Sequence, residues 1–318
     1  MAALPESPVL GFVAGMSRAG TTWMAHALGG HPDVVAFGET QYWGKKYRAP
    51  DREVYGRDEV RKIIEELPGS ILSQEKRTSL KKILSEHAVS DPVENASPKA
   101  LFDWISRAAA KNQNKTCAVE KTPHHVNHVD RIVEAYPEAQ FVVMARAPYD
   151  FMLSYKHQGD RKPEAVRREF RKLYHPLGCA LVYRGYARSI RNVLQQYPDR
   201  TLLVTLQEIK SDSRKALEEV QKFFGVETLA PVPAPSNSSF PGEQSPSLDS
   251  EDLFWMNAVA ARDIRALGYQ TRKSDISVAE AVRSLAHVPP WAGRALSTLW
   301  SQSTNPIQYV AQWLLPGR

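Results

Sequence analysis

The stretch GMSRAGTTW, residues 15–23, carries the residue types that hold an anion. It follows an apolar run, VLGFVAG, and leads into another apolar stretch, MAHALGG. A strand ending at Ala14, a turn over Gly15 to Gly20 and a helix from Thr21 aim free backbone N–H groups at one point. That point also lies at the positive end of the helix dipole. Arg18 adds a planar bidentate donor, and Thr21 and Thr22 add hydroxyls where a diphosphate-like oxygen would sit. A nucleoside-triphosphate loop ends in Gly-Lys-Ser/Thr. Here the last glycine, Gly20, is followed by Thr-Thr, so a Mg-nucleotide reading lacks its lysine. Arg146, in FVVMARAPYDFMLSYKH, leaves the carboxyl edge of a strand, where ligands gather in open α/β sheets.

The elements that must position these residues follow from the hydrophobic pattern. Short, nearly continuous apolar runs occur at 8–14, 116–119, 140–145 and 201–206, with DVVAF at 33–37 as a fifth. Each is followed by a polar turn and a helical pattern, which predicts a parallel sheet covered on both faces. The helical patterns fall at 21–29, 57–67, 75–87, 98–111, 125–135, 148–158, 163–174, 178–196, 211–224 and 249–267. APVPAPSNSSFPGEQSP, 230–246, is too rich in proline for regular structure and reads as a long loop or lid. The expected organisation is an α/β domain over 1–270 and a helical C-terminal extension over 271–318, packed on the domain or on a partner.

Taken together, these stretches resemble the sulfotransferases that use 3′-phosphoadenosine 5′-phosphosulfate (PAPS). SRAGTTW is similar to their 5′-phosphosulfate loop, with Ala19 where the family usually has a serine. Arg146, Pro148, Asp150 and Ser154 match the family's strand-end Arg, Pro-x-Asp turn and helical Ser. VEKTPHH, 119–125, resembles the Glu-Lys-Thr-Pro stretch of the glycan-directed, tyrosylprotein and bacterial branch. The resemblance spans roughly 8–226. It implies a three-layer P-loop-like α/β fold with a central parallel sheet and helices on both faces. It implies donor binding by Arg18, Ala19, Gly20, Thr21, Thr22 and Trp23, with Trp23 against the adenine or in the core. Arg146 and Ser154 would bind the 3′-phosphate, and 3′-phosphoadenosine 5′-phosphate (PAP) would be the product. The turn Gln207-Glu208-Ile209 departs from the family's late turn, so no role is carried to it.

Sulfuryl transfer to a hydroxyl needs a base. The cytosolic branch uses a His two residues after the lysine; here that place is Pro123. The other branch uses a glutamate after the first helix, and Glu39 in HPDVVAFGETQYW takes that place, with His124 or His125 as alternatives. An apolar neighbourhood (Val35, Ala36, Phe37, Trp43) suits proton abstraction. Lys121 and Arg18 would neutralise the leaving phosphate. No metal is called for. His31, beside Pro32, reads as a packed turn residue. Tyr42, Trp43 and Tyr47 line an acceptor pocket or fill the core. Many relatives bring further Lys or Arg to the 3′-phosphate from a late loop, but none lies between Lys222 and Arg262. SNSSF, 236–240, would then serve, or the site is more open. The rival readings are a non-catalytic PAP-binding protein and a P-loop phosphotransferase.

Composition sets the background. Hydrophobic residues make up 42% and charged residues 24%, which is ordinary for a globular chain and excludes overall disorder. The two cysteines, Cys117 and Cys179, make no disulfide scaffold or metal pattern. The first residues lack a basic signal-peptide start and no run is long enough to span a bilayer, so the expectation is a soluble, cytoplasmic protein. The net charge is +6, and nine Lys/Arg against two acids between Arg161 and Arg191 account for all of it. That segment is a solvated helix face or an anion-attracting rim. The tail 289–318 holds Trp291, Trp300 and Trp313 and no acid. It packs on the domain or a second subunit as a homodimer contact, or lies on a membrane surface. The expected partner is a hydroxyl-bearing acceptor, with no nucleic acid.

Overall fold

A computed structural model of the chain describes residues 8–46, 54–72, 77–160, 162–229 and 247–302. Among them, seven strands form one sheet: β1 (Val9–Gly15), β2 (Val34–Gly38), β3 (Ser70–Leu72), β4 (Arg77–Ser79), β5 (Cys117–Lys121), β6 (Gln140–Ala145) and β7 (Thr201–Thr205). Their order is β4-β3-β2-β5-β1-β6-β7. The five strands expected from the apolar runs are all present and all parallel. The sheet is nevertheless mixed, because β3 and β4 add an antiparallel edge. Strands of three residues carry too little pattern to be seen in sequence, and the pattern at 75–87 begins with β4 rather than a helix.

The chain divides into two compact units, Met1–Ala145 with Gln196–Pro235, and Arg146–Gln195 with Ser236–Arg318. The first unit contains the whole sheet. Its helices are α1 (Thr21–Gly29), α2 (Arg57–Glu66), α3 (Leu80–Ser90), α4 (Pro98–Asn112), α5 (Val129–Ala135), α9 (Leu206–Ser211) and α10 (Ser213–Phe223). Strand alternation sends successive side chains to opposite faces. Phe37 of β2 thus packs against Phe102 of α4, with ring centroids 6.1 Å apart, while Ala36 clusters with Ala25 of α1 and Leu72. Both faces of the sheet are covered in this way. The expected helix at 125–135 is a 3₁₀ turn, Pro123–Asn127, followed by α5. The one at 211–224 is α10, and the short α9 before it was not expected. Thr205 and Glu208 form a capping box at the start of α9, which gives Glu208 a structural task.

The second unit is helical: α6 (Pro148–Lys156), α7 (Glu164–Leu173), α8 (Pro176–Gln196), α11 (Ser250–Ala266) and α12 (Val278–Gln302). Its buried carboxylates organise it. Asp252 accepts hydrogen bonds from Lys156 and Tyr174, and Asp263 takes Arg191 at 3.2 Å and Arg188 at 3.5 Å. Arg167 and Arg168 pair with Glu164, Lys172 with Glu169, and Arg171 with Asp160. Much of the basic segment is therefore committed within its own unit, in keeping with a solvated helix face.

Pro289 and Pro290 sit inside α12, where each removes a backbone donor, so the tail as read from sequence starts in mid-helix. Trp291 packs within this unit. Its ring lies 4.9 Å from that of His175 and its Nε1 donates to the Leu173 carbonyl. Tyr309 and Trp313 lie outside the described residues, as does the Pro-rich segment 230–246. For Trp300 only the backbone is described. No helix among the described residues is long and apolar enough to cross a membrane. Cys117 and Cys179 are both free.

Candidate active site

Parallel pairing decides which residues meet. β5 lies between β2 and β1, with Lys121 level with Gly38 on one side and Val13 on the other. All three strands run the same way. Their carboxyl ends therefore place Glu39, Lys121 and the loop after Gly15 along one edge, where open α/β sheets bind ligands.

The loop has the conformation its glycines allow. Gly20 precedes α1 with φ +90°, a left-handed value that a side chain would strain, and Arg18 is also left-handed at φ +68°. No side chain caps α1 and no acidic residue occupies its first turn. The positive helix end is thus left for an anion. Arg18 is exposed, Thr22 and Trp23 are half-buried, and Thr21 is buried. Ala19 is fully buried, so the residue that departs from the family pattern is a packing methyl here.

Glu39 and Lys121 are ion-paired, and Lys121 Nζ donates to Thr22 Oγ1 at 3.3 Å. The Lys121 side chain is 1% exposed and that of Glu39 is 50% exposed. Lys121 is therefore no surface lysine. It is a buried ammonium facing the head of α1. The apolar neighbours expected around the Glu39 carboxylate turn elsewhere. Tyr42 and Trp43, in a single π-helical turn at Tyr42–Lys46, are fully buried against Phe102, at 5.1 Å each. They belong to the core, and Tyr47 lies outside the described residues.

The bend that delivers Glu39 is tight. Glu39 and Gln41 both have positive φ, +64° and +51°, and Glu39 N donates to the Lys121 carbonyl at 2.8 Å. A Cβ on Gly38 would fall 2.1 Å from that same carbonyl oxygen. Gly38→Ala must push β2 off β5 and is expected to destabilise the protein by about 1–3 kcal/mol, as overpacking does. Urea unfolding monitored by tryptophan fluorescence checks this. A stability equal to that of the parent would mean the strands separate freely here.

Beneath the pair lies a residue that sequence reading passed over. Glu120, on β5, is buried and accepts hydrogen bonds on Oε1 from Thr40 (2.8 Å) and Thr122 (2.6 Å). His125 Nδ1 stands 2.8 Å from its Oε2. Burial alone would raise this carboxyl's pKa. The charge of His125 and the hydrogen bonds from His125, Thr122 and Thr40 together hold it below its ordinary value. Its stabilising contribution is present above the ordinary glutamate range and is lost as pH falls through the lowered folded value. The available signal was a carboxylate inside the apolar strand CAVEK. His125 is 1% exposed and committed to Glu120, which removes it as a base. His128 is pushed down to about 3 by burial and by His125, Arg131 and His124, so it stays neutral. His31 is the packed turn residue expected. It is 2% exposed, with Nδ1 accepting from Asp33 N and Nε2 3.1 Å from the Glu227 carbonyl.

Arg146 and Ser154 belong to the second unit, where they are 5% and 0% exposed. Arg146 directly follows Ala145, the last residue of β6, and Ser154 lies in α6, which starts with Pro148 at its first position. SNSSF, 236–240, falls outside the described residues.

The model of the sulfotransferase family matches residues 11–231, more than half of the chain. The chain belongs to the sulfotransferase family. Family membership supports sulfuryl transfer as the chain's general chemistry. Among curated proteins, the nodulation protein NoeE of Sinorhizobium fredii is 27% identical over 154 residues. That covers 47% of this chain and 31% of NoeE, so the match spans about a third of that relative's length. Among solved structures, a sulfotransferase from Alicyclobacillus acidocaldarius is 20% identical, covering 84% of this chain and 96% of that one, with a TM-score of 0.47. The sulfotransferase domain of the Synechococcus PCC 7002 olefin synthase is 17% identical, covering 71% and 76%, with a TM-score of 0.43. Likenesses at this level carry no weight for the roles of individual residues in this sulfotransferase.

Proposed function

We propose that this sulfotransferase moves the sulfuryl group of PAPS to a hydroxyl acceptor by in-line displacement, with Glu39 as base. The observation that carries the reading is the Glu39–Lys121 pair beside Thr22 at the uncapped head of α1. PAPS supplies the sulfuryl group and leaves as PAP. The residues present fit such a donor: left-handed Gly20 and the free N–H groups of α1 suit the 5′-phosphosulfate, together with Arg18, Ala19, Thr21 and Thr22. Trp23, half-buried, is assigned to the adenine. Arg146 and Ser154 are assigned to the 3′-phosphate.

The chain's own chemistry is proton and charge management. The Glu39 carboxylate stays against Lys121 until an acceptor hydroxyl takes the ammonium's place beside it. Glu39 then accepts the hydroxyl proton as its oxygen attacks sulfur. The freed Lys121 ammonium, buried and therefore weakly screened, neutralises the charge growing on the leaving phosphate, aided by Arg18.

The test is transfer of label from sulfur-35 PAPS to separate pools of glycans, phenols, lipids and tyrosine peptides, beside a thermal shift with PAP and with ATP. The reading expects label in one pool and a shift with PAP alone. A PAP shift without transfer to any pool would make the chain a binding protein, and a shift with ATP alone would restore the phosphotransferase reading. For the 3′-phosphate, Arg146→Ala is expected to weaken PAP by roughly 1.5–3 kcal/mol, the worth of hydrogen bonds to a charged group. Adenosine 5′-phosphosulfate, which lacks that phosphate, should lose little. Equal losses for both ligands in calorimetry would make Arg146 structural.

A further inference from the structure

Besides its contacts to Lys121, the position of Glu39 depends on the bend that carries it. Glu39 follows the last residue of β2, in a bend whose residues 39 and 41 are both left-handed, a conformation non-glycine residues adopt at a cost. Something must over-determine that bend. Two threonine hydroxyls do so from below. Thr40 Oγ1 accepts from Tyr42 N at 3.3 Å, and Thr122 Oγ1 accepts from Gln41 N at 3.4 Å. Each hydroxyl then donates to the same oxygen, Glu120 Oε1. Thr40 directly follows Glu39 on one strand end, and Thr122 directly follows Lys121 on the next. One carboxylate therefore ties together the chain segments that carry both members of the ion pair. It is itself fixed by burial and by His125 at its other oxygen.

We propose that Glu120 is the positioning residue of this site: through Thr40 and Thr122 it locks the bend that holds the Glu39 carboxylate against Lys121. Its catalytic consequence rests on the reading of Glu39 as base. Its geometric content does not. Glu120 lies on a strand next to Lys121, and successive strand residues face opposite ways, so it acts only through the threonines. A Glu120→Gln side chain keeps an oxygen for both hydroxyls, and so should keep more of the geometry than loss of either hydroxyl.

The test uses the full chain with carbon-13 in its glutamate carboxyls, the Glu39 signal being assigned by its loss in Glu39→Gln. Lys121→Met sets the position of that signal when the pair is absent. Thr40→Val is nearly isosteric and removes only the hydroxyl. It is expected to move the Glu39 signal toward the Lys121→Met position and to lower kcat about 100-fold, the effect of a misplacement near 1 Å. PAP affinity should stay unchanged, and Thr40→Ser should recover most of the loss. Thr122→Val provides the same reading if Thr40→Val fails to fold. In the double variant Glu39→Gln/Thr40→Val, loss of the hydroxyl should add nothing to the loss from Glu39→Gln alone. An unmoved Glu39 signal in a folded threonine variant overturns the proposal. A moved signal with kcat untouched by Glu39→Gln leaves the positioning intact and overturns the base assignment instead.

Discussion

Replacing Glu39 by glutamine is expected to lower turnover roughly 10²–10⁴-fold, the usual worth of a general base, while PAP still binds. The amide keeps the shape of the side chain and an oxygen that Lys121 can donate to, so the buried ammonium retains an acceptor there besides Thr22. What is lost is the site that takes the proton. The measurement is steady-state transfer at saturating PAPS, with the acceptor that takes label. Near-normal turnover in this variant would move the role to His124, which is half-buried. His125 cannot inherit it, because it is sealed in the core against Glu120.

The second large effect is expected from Lys121→Met. Methionine fills the buried path of the lysine stem, and the carboxylate left behind, half-exposed at Glu39, remains solvated. Breaking a fully buried pair usually costs about 3–5 kcal/mol because one charge is stranded. Here the stranded charge reaches water, so stability should fall by much less. Turnover, by contrast, should drop about 10²–10³-fold, the worth of one preorganised group at a developing charge. Paired measurements of melting temperature and kcat separate the two. A collapse of stability with kcat per folded molecule unchanged would make Lys121 a structural cation.

How much of this was legible in the sequence varies by element, for physical reasons. The five parallel strands showed because a strand covered on both faces is mostly apolar, as FVVMA is throughout and TLLVT is at its centre. The anion loop showed because glycines flanking Arg18 and a Thr-Thr helix start have few other uses. Glu39 and Lys121 were named individually through the family resemblance, each at the end of a strand. The strands β3 and β4 were invisible, since SIL and RTS owe their state to the edge they pair with rather than to their own pattern. Tyr42 and Trp43 were open between pocket and core. Only the turn after Glu39, which points both rings at Phe102, decided for the core. Helix α12 ran through two prolines that by themselves read as a break.

The sequence by itself thus determined the chemistry on offer: an anion cradle, a lysine, a carboxylate and the parallel strands that end beside them. Tertiary structure decided where each group stands and what it touches. Lys121 became a buried ammonium because β5 runs between two other strands. Glu39 became its partner because Gly38 lets β2 approach within contact of the Lys121 carbonyl. Glu120, one charged residue among many in the sequence, is buried with Thr40, Thr122 and His125 gathered around its carboxylate, because burial disfavours an unpaired charge. Residue types and spacing are local properties. Burial, register and the sign of a backbone angle are properties of the packed chain, and those fix the placements.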